Sequence, residues 1–301
     1  MLTNIRKTFL CEHFPRSLSD ILGFFASDEG FVEPTGLRLT QRDMRIYMRD
    51  IIIEKLNEIE QTENITILHA VESGSRAWGF ASPDSDYDVR FFYVRPKDYY
   101  LRLDRTRDVL EYLLNDVLDI NGWDIDKTLK LLYASNPALF EWSNSPIVYK
   151  TTDEFKQLLP LIGNYFVARS GLWHYLSMAE GNYREYLKGE MVKAKKYFYV
   201  IRPLLACRWI LERHTPPPVL FAKLVDTQLE PELKPVVDDL LKLKMSAPEI
   251  GETLKIAPLN EFIEQNLRLI REQIKALPKE GQSDWEPLNE LFLSILERRK
   301  E

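Results

Sequence analysis

The sequence predicts an α+β fold in which a small sheet with flanking helices is followed by an all-helical region. Three observations predict it. An amphipathic helical pattern begins near Thr40, four short runs rich in β-branched and aromatic residues follow up to about residue 120, and strand-like runs largely fade after about residue 150. We therefore expect an N-terminal arm over 1–39, an α+β domain over 40–150 and a helical C-terminal domain over 151–301.

The first element in chain order is a helix predicted from Thr40 to about Glu60, where apolar residues recur every three or four positions. Asn64 breaks this pattern. Runs of β-branched and aromatic residues then predict strands at 65–71, 87–94, 109–114 and 117–120. The four strands are close enough in sequence to build one small sheet.

A turn and a helix are predicted after the fourth strand. Asn121-Gly122 is a typical turn dipeptide. Asp124 has the side chain of a helix N-cap, and Asn136-Pro137 ends the helix that would follow it. Beyond about residue 150 the sequence reads as several helices with proline-rich joints.

The composition limits the class of protein. The 301 residues are 45% hydrophobic and 29% charged, as in ordinary globular chains. The net charge of −6 excludes a global basic field, so a nucleic-acid partner would need a local basic patch. The two cysteines have no metal-like spacing, which predicts a reducing, cytoplasmic location. Without a long apolar run we expect no signal peptide and no membrane span.

Two short motifs lie at the edges of neighbouring predicted strands. Gly74-Ser75 follows the first strand, and after a spacer of about ten residues Asp86 and Asp88 open the second. Residues i and i+2 of a strand share a face, roughly 6.5–7 Å apart. Two carboxylates placed this way repel each other unless cations neutralise them. Two Mg²⁺ ions, with Mn²⁺ as a substitute, would both neutralise the pair and clamp a phosphoryl displacement.

The residues beside these acids have the chemistry of a triphosphate site. Gly74 lets the backbone approach a polyphosphate closely, and Ser75 adds a hydroxyl donor. Arg76 has a planar fork that pairs with phosphate oxygens. Arg90 shares the strand face of Asp86 and Asp88, and it would either contact phosphate or balance the acids. The sequence leaves these two roles for Arg90 open.

At these residues the chain resembles the DNA polymerase β-like nucleotidyltransferase superfamily. It is more closely similar to the predicted bacterial nucleotidyltransferases associated with RNA-repair ligases. The similar blocks cover roughly residues 40–215 and are 72–94, 121–132, 136–142 and 195–210. The resemblance implies a polymerase-β-like palm followed by a helical domain. It also implies Mg²⁺-dependent transfer of a nucleotidyl group, most often AMP, from a nucleoside triphosphate.

Palms of this kind need a third carboxylate on a neighbouring strand. Asp119 is the candidate, since apolar residues bracket it as they would in a strand; the alternative is a surface acid on an edge strand. Asp124 and Asp126 come next, but they fall where a helix starts, so Asp124 is expected to cap that helix. Lys127, in the first turns of the same helix, is a further candidate for nucleotide binding.

In the helical region a basic and aromatic stripe is the remaining candidate. Lys195, Tyr199 and Arg202 are spaced to share one helical face, and Lys196 adjoins them. Facing the palm, this stripe would hold the triphosphate and stack on the base. The alternative is a solvated helix face, and Pro203 is expected to kink the helix after Arg202.

These observations predict a nucleotidyltransferase in which Asp86, Asp88 and Asp119 bind metal and an acceptor hydroxyl attacks the α-phosphate. The predicted partners are a nucleoside triphosphate and an acceptor that is RNA, a protein or a small molecule, with no membrane partner. The competing hypothesis is a non-catalytic module that binds nucleotides or a partner, for example a toxin-neutralising subunit. The three candidate acids favour the enzyme.

Overall fold

The computed structural model describes residues 41–83, 85–104, 107–113, 117–246, 252–278 and 284–298. The predicted arm over 1–39 and the predicted helix start at Thr40 lie outside these residues. The chain divides into two compact units, the first ending at Ile51 and the second beginning at Ile52. Both the sheet and the helices that follow it belong to the second unit, and the predicted boundaries near 40 and 150 stay a prediction.

The first half of the described chain alternates strands with short helices. A long helix, α1, precedes strand β1, and β1 and β2 are separated by the one-turn helix α2. The helices are α1 (Gln41–Glu63), α2 (Gly74–Ala77), α3 (Lys97–Tyr100), α4 (Ile125–Tyr133) and α5 (Pro137–Ser143). The strands are β1 (Thr66–Glu72), β2 (Tyr87–Val94), β3 (Val109–Leu113), β4 (Leu118–Asp124) and β5 (Val148–Thr151).

The second half is mainly helical. Its helices are α6 (Asp153–Ile162), α7 (Ala168–Tyr186), α8 (Lys196–Arg213), α9 (Phe221–Gln228), α10 (Lys234–Ser246), α11 (Ala257–Ala276) and α12 (Glu286–Arg298). Short strands β6 (Met191–Lys193) and β7 (Glu252–Leu254) pair as an antiparallel ribbon. Helix α8 continues through Pro203. The predicted α+β fold with a helical C-terminal part is therefore confirmed.

The sheet is mixed, and its central pair of strands is parallel. The strand order is β3-β4-β2-β1-β5. β2 runs parallel to β4, whereas the other neighbouring strands are antiparallel. In the parallel pair Asp88 lies opposite Asp119, and Tyr93 lies opposite Asp124. The two ends of this pair therefore each carry an acidic residue of β4.

Two apolar clusters form the core of the second unit. One lies between a face of the sheet and helices α4, α5, α6 and α12, with Phe92, Leu132 and Leu288 among its buried residues. The other lies among α7, α8, α9 and α11. Phe80, from the segment after α2, belongs to the second cluster and contacts Phe198 with ring centroids 5.2 Å apart. Phe80 thereby fixes the chain beside α2 against the helical layer.

The sheet differs from the sequence predictions in one wrong turn and one strand that was not predicted. Asn121 and Gly122 lie inside β4 instead of forming a turn. A Cβ on Gly122 would lie 2.2 Å from the ring of Phe91, so the glycine makes room for an aromatic residue of the neighbouring strand. The edge strand β5 was not predicted, because its four residues VYKT show no strong alternation. None of the helices in the described part of the chain is long and apolar enough to cross a membrane.

Candidate active site

Two carboxylates meet at the start of the parallel strand pair. Asp88 of β2 and Asp119 of β4 are opposite each other in the register, on strands that are about 4.8 Å apart. Their side chains are 32% and 39% exposed. Buried and partly buried residues alternate along β4 and over the first four residues of β2, so the two acids share the face that reaches solvent.

Arg90 bridges the two acids. Its Nη2 lies 3.0 Å from Asp88 Oδ1 and 2.7 Å from Asp119 Oδ2. Its Nη1 donates to the carbonyl oxygens of Val89, at 3.0 Å, and Asp119, at 3.2 Å. Of the two roles that the sequence left open for Arg90, these contacts favour balancing the charge of the acids.

Gly74 lies directly against Asp88. Its φ is +58°, a left-handed conformation that other residues rarely adopt. A Cβ at this position would lie 2.1 Å from Asp88 Oδ2. Position 74 therefore requires glycine for two independent reasons, its backbone conformation and its contact with the carboxylate.

A buried carboxyl group, Glu72, lies behind Asp88. Glu72 is 0% exposed, and its Oε1 accepts a hydrogen bond of 2.8 Å from the backbone N–H of Asp88. The hydroxyl of Tyr149 on β5 donates to Glu72 Oε2. Burial raises the pKa of Glu72 to about 7, against the opposing effect of these hydrogen bonds. The side chain of Glu72 on β1 thus holds the main chain of Asp88 on β2.

Arg76 holds the segment that carries Asp86. Its Nε donates to the carbonyl oxygen of Asp86 at 2.9 Å, and its Nη2 donates to that of Ser85. Its guanidinium also lies 3.6 Å from the centroid of the Tyr87 ring. Asp86 is exposed and immediately precedes β2. In this structure Arg76 therefore orders the approach to β2, and its predicted phosphate contact stays a prediction.

Tyr199 of α8 lies within electrostatic range of the acids. Burial, together with the nearby carboxylates of Asp88 and Asp86, raises the pKa of the Tyr199 hydroxyl. Its ring lies edge-on to that of Trp78, with centroids 5.9 Å apart. Both side chains are partly buried. The predicted stripe of α8 thus contributes an aromatic residue to the edge of the site.

Arg202, from the same predicted stripe of α8, does not lie at the edge of the site. It is 2% exposed, its Nη1 lies 3.0 Å from Glu141 Oε1, and its guanidinium lies 4.3 Å from the Trp78 ring centroid. Burial alone would raise the pKa of Glu141, but Arg202 and the hydroxyl of Tyr175 hold it below its usual value. Because Arg202 neutralises a buried carboxylate, we correct its predicted role from triphosphate binding to support of Trp78.

The remaining basic candidates lie in different places. Lys127 pairs with Asp108 at 3.2 Å, near the far end of β4, and Asp124 lies five residue steps along the strand from Asp119, roughly 16 Å away. In this structure Lys127 therefore lies away from Asp88 and Asp119, and its predicted nucleotide contact stays a prediction. Lys196 lies beside Tyr199, with its Nζ 3.7 Å from the Tyr186 ring centroid and 5.2 Å from that of Tyr199. Lys195 directly precedes α8.

Asp124 is a helix cap, as its residue type predicted. Its carboxylate accepts a hydrogen bond of 2.9 Å from the backbone N–H of Asp126, and the hydroxyl of Tyr100 donates to it at 3.0 Å. Burial raises the pKa of Asp124 to about 6, although both hydrogen bonds act in the opposite direction. The side chain points into the protein and has no part in the Asp88–Asp119 pair.

The acids have the right kind of donor for Mg²⁺, namely partly exposed carboxylate oxygens. Among the described residues, however, no three acidic, histidine or cysteine side chains lie close enough together to form a metal-binding group. Arg90 instead occupies one oxygen of each paired acid. A metal bound through those two oxygens would therefore have to displace Arg90 from them.

Sequence reasoning missed Glu72, Tyr149 and Trp78. Glu72 had a visible signal, because it is the single carboxylate of a largely apolar strand and ends that strand directly before Ser73-Gly74. Tyr149 had none, because the strand that carries it was not predicted. Trp78 follows the Gly-Ser motif closely, but its contacts with α8 depend on the packing of the helical layer.

The RlaP family, described as the RNA repair pathway DNA polymerase beta family, matches residues 48–294. The chain belongs to this family. It is also 45% identical over 254 residues to the uncharacterized protein YcgL of Bacillus subtilis (strain 168), covering 83% of this chain and 97% of that protein. Membership of the family confirms the polymerase-β-like resemblance and supports a nucleotidyltransferase function.

A nucleotidyltransferase-like protein from Exiguobacterium sibiricum 255-15 has a similar solved structure. The sequence identity is 12%, the comparison covers 83% of this chain and 81% of that one, and the TM-score is 0.27.

Proposed function

We propose that the protein is a metal-dependent nucleotidyltransferase that moves a nucleoside monophosphate, AMP in the first instance, from a triphosphate to the hydroxyl of an RNA end. The observation that carries the proposal is the side-by-side pair of Asp88 and Asp119 over Gly74. Family membership supports the reaction class. RNA as the acceptor is supported by the family description and by the lysines beside Tyr199.

In the proposed reaction the acceptor oxygen attacks the α-phosphorus, and the bond from that phosphorus to the bridging oxygen of the β-phosphate breaks. Pyrophosphate leaves, and the hydroxyl proton passes to a carboxylate, for which Asp119 is the candidate. Bound Mg²⁺ would neutralise the phosphates and polarise the reacting oxygens. Asp86, Asp88 and Asp119 would hold it, with Arg90 turning from the acids towards the incoming phosphates.

Other residues have positioning roles in this proposal. Gly74 and Ser75 place backbone N–H groups and a hydroxyl near the triphosphate. Arg76 keeps Asp86 beside Asp88. Tyr199 and Trp78 give the base an aromatic edge, and Lys195 and Lys196 add positive charge beside it.

The test is incubation of the protein with each α-³²P-labelled triphosphate, Mg²⁺ or Mn²⁺, and separate pools of RNA and of protein. We expect label to enter RNA in a metal-dependent way, and Asp88→Asn to abolish it. Asp126→Asn is the matched control, because Asp126 is an exposed acid that pairs with Lys130 away from the site. Equal transfer by wild type and Asp88→Asn contradicts the proposal.

The non-catalytic alternative has one observation in its favour, the occupation of both paired acids by Arg90. It predicts that ATP raises the melting temperature equally in Mg²⁺ and in EDTA, without transfer. The enzyme proposal predicts weak ATP binding in EDTA, because the triphosphate then meets Asp86 and Asp88 as like charge.

RNA binding should be local and steeply salt-dependent, because the chain as a whole is acidic.

A further inference from the structure

The antiparallel ladder between β1 and β2 is interrupted beside Asp88. The last pair of the ladder is Glu72 with Val89, so Ser73 and Asp88 would form the next one. The N–H of Ser73 does bond to the carbonyl oxygen of Asp88, at 2.8 Å. The carbonyl oxygen of Ser73, however, accepts from the N–H of Ala77 in the turn of α2. The N–H of Asp88 therefore needs another acceptor.

The side chain of Glu72 supplies that acceptor. Its Oε1 lies 2.8 Å from Asp88 N, in the place that the next carbonyl group of the ladder would have taken. A partly buried N–H without a partner is unfavourable, so this contact is needed once the chain turns at Gly74. The carboxyl group thereby completes the ladder at the residue where β1 departs from it.

Glu72 is itself held from two sides. The hydroxyl of Tyr149 donates to its second oxygen, and the hydroxyl of Ser145 donates to its backbone carbonyl oxygen at 2.6 Å. Both residues come from the segment around β5, on the far side of β1 from Asp88. A connected set of hydrogen bonds therefore runs across β1, from Tyr149 through Glu72 to the main chain of Asp88.

We propose that Glu72, held by Tyr149, is a positioning residue that fixes the main chain of Asp88 so that the Asp88 carboxylate stays over Gly74. The proposal rests on the proposed nucleotidyltransferase function and assigns no direct contact with substrate to Glu72. The requirement is geometric, since an acceptor must stand opposite the Asp88 N–H. A neutral side chain of the same shape therefore satisfies it.

Three substitutions separate geometry from charge. Glu72→Gln keeps an oxygen for the Asp88 N–H, and its amide group can donate to the oxygen of Tyr149. Glu72→Leu fills the space but removes the acceptor. Tyr149→Phe removes only the outer hydrogen bond. Tyr112→Phe is the matched control, because the Tyr112 hydroxyl also donates to a glutamate, Glu63 Oε1 at 2.8 Å, elsewhere on the sheet.

We expect kcat for transfer to fall by about 10- to 100-fold in Glu72→Leu, since a small displacement of a reacting group has effects of this size. KM for the triphosphate should change little. Glu72→Gln should keep most of kcat, Tyr149→Phe should lose a few-fold, and Tyr112→Phe should match wild type. In hydrogen exchange the Asp88 amide should be protected in wild type and in Glu72→Gln, and should exchange faster in Glu72→Leu.

Three results overturn the proposal. The first is a kcat for Glu72→Leu equal to that of wild type. The second is an equal loss in Glu72→Gln and Glu72→Leu, which would make charge the requirement. The third, which decides the matter if Glu72→Leu does not fold, is an equal kcat in Tyr149→Phe and Tyr112→Phe. Absence of transfer in the wild type itself removes the proposed function and this role together, whereas transfer that is indifferent to Glu72 removes only the role.

Discussion

The two ends of the β2–β4 pair carry the same type of residue in opposite environments. At one end Asp119 is partly exposed and lies beside Asp88 and the guanidinium of Arg90. At the other end Asp124 is 2% exposed, lies opposite Tyr93 and accepts hydrogen bonds from Tyr100 and the first turn of α4. Residue type and strand are shared, so burial and partners decide the role of each acid.

The difference follows from what lies beyond each end. The start of β2 faces the turn at Gly74, where the chain bends away and leaves the face of Asp88 accessible. The end of β4 runs directly into α4, whose unpaired N–H groups need an acceptor. A carboxylate at a helix start is therefore used within the fold, whereas one at an open strand start is available to a ligand.

The largest expected effect is on transfer. Asp119→Ala should abolish detectable transfer because it removes one of the two paired carboxylates. It should change the free energy of unfolding by less than about 1 kcal/mol, as is usual for partly exposed ion pairs. Transfer assays and urea unfolding of the same preparation measure the two quantities. If Asp119→Ala kept wild-type transfer, the third catalytic acid would be a different residue. Asp119 and Asp124 would then no longer be distinguished by a role in catalysis.

The next effect tests the bridge between the acids. Arg90→Met leaves Asp88 and Asp119 as adjacent like charges, so the melting temperature in EDTA should fall by about 2–4 °C, the shift expected for about 1 kcal/mol in a chain of this size. Mg²⁺ should then raise the melting temperature more in Arg90→Met than in wild type. Arg102→Met is the control, since Arg102 pairs with Asp104 on an exposed segment. An equal Mg²⁺ shift in Arg90→Met and wild type would show that Arg90 and metal do not share these oxygens.

Sequence reasoning placed some candidate residues where the structure has them and others not, for physical reasons. Gly74, Asp88 and Asp119 were found because local strand patterns and short motifs place them, and those patterns survive in the fold. Lys127 and Arg202 lie away from the Asp88–Asp119 pair, because their positions depend on long-range packing. The first depends on the length of β4, and the second depends on Glu141, which is distant in sequence.

Glu72 is a residue whose position can be read from the sequence but whose contacts cannot. Its position at the end of a largely apolar strand was readable, but its hydrogen bond to Asp88 depends on the turn at Gly74 and on an unpredicted strand. The strand register could likewise not be read at Gly122, because the sequence predicts a turn at a glycine that instead makes room for Phe91. A single sequence thus does not reveal which residues contact each other across strands.

The next effect concerns stability alone and is expected from pH at the buried end. Burial raises the pKa of Asp124 from its ordinary value of 3.8 to about 6, so the folded state takes up a proton at higher pH than the unfolded state. Wild type should therefore gain stability relative to Asp124→Asn as pH falls from above 6 towards 4, by on the order of 2 kcal/mol. Urea unfolding of both proteins across this range measures the difference between their free energies of unfolding. Glu72 is present in both proteins, so its contribution cancels in that difference. A difference that is flat with pH would mean that Asp124 is not buried as a carboxyl group.

The last effect is the loss of the helix cap at pH 8. Asp124→Ala should lower the free energy of unfolding by about 1 kcal/mol, the usual size for a lost N-cap, because the N–H of Asp126 loses its acceptor. Asp124→Asn should lose less, since its amide oxygen still accepts that hydrogen bond. Both variants should retain substantial transfer, because the capping carboxylate is separated from the Asp88–Asp119 pair by most of the length of β4. If Asp124→Ala instead abolished transfer without loss of stability, the roles of the two ends of the strand pair would have to be exchanged.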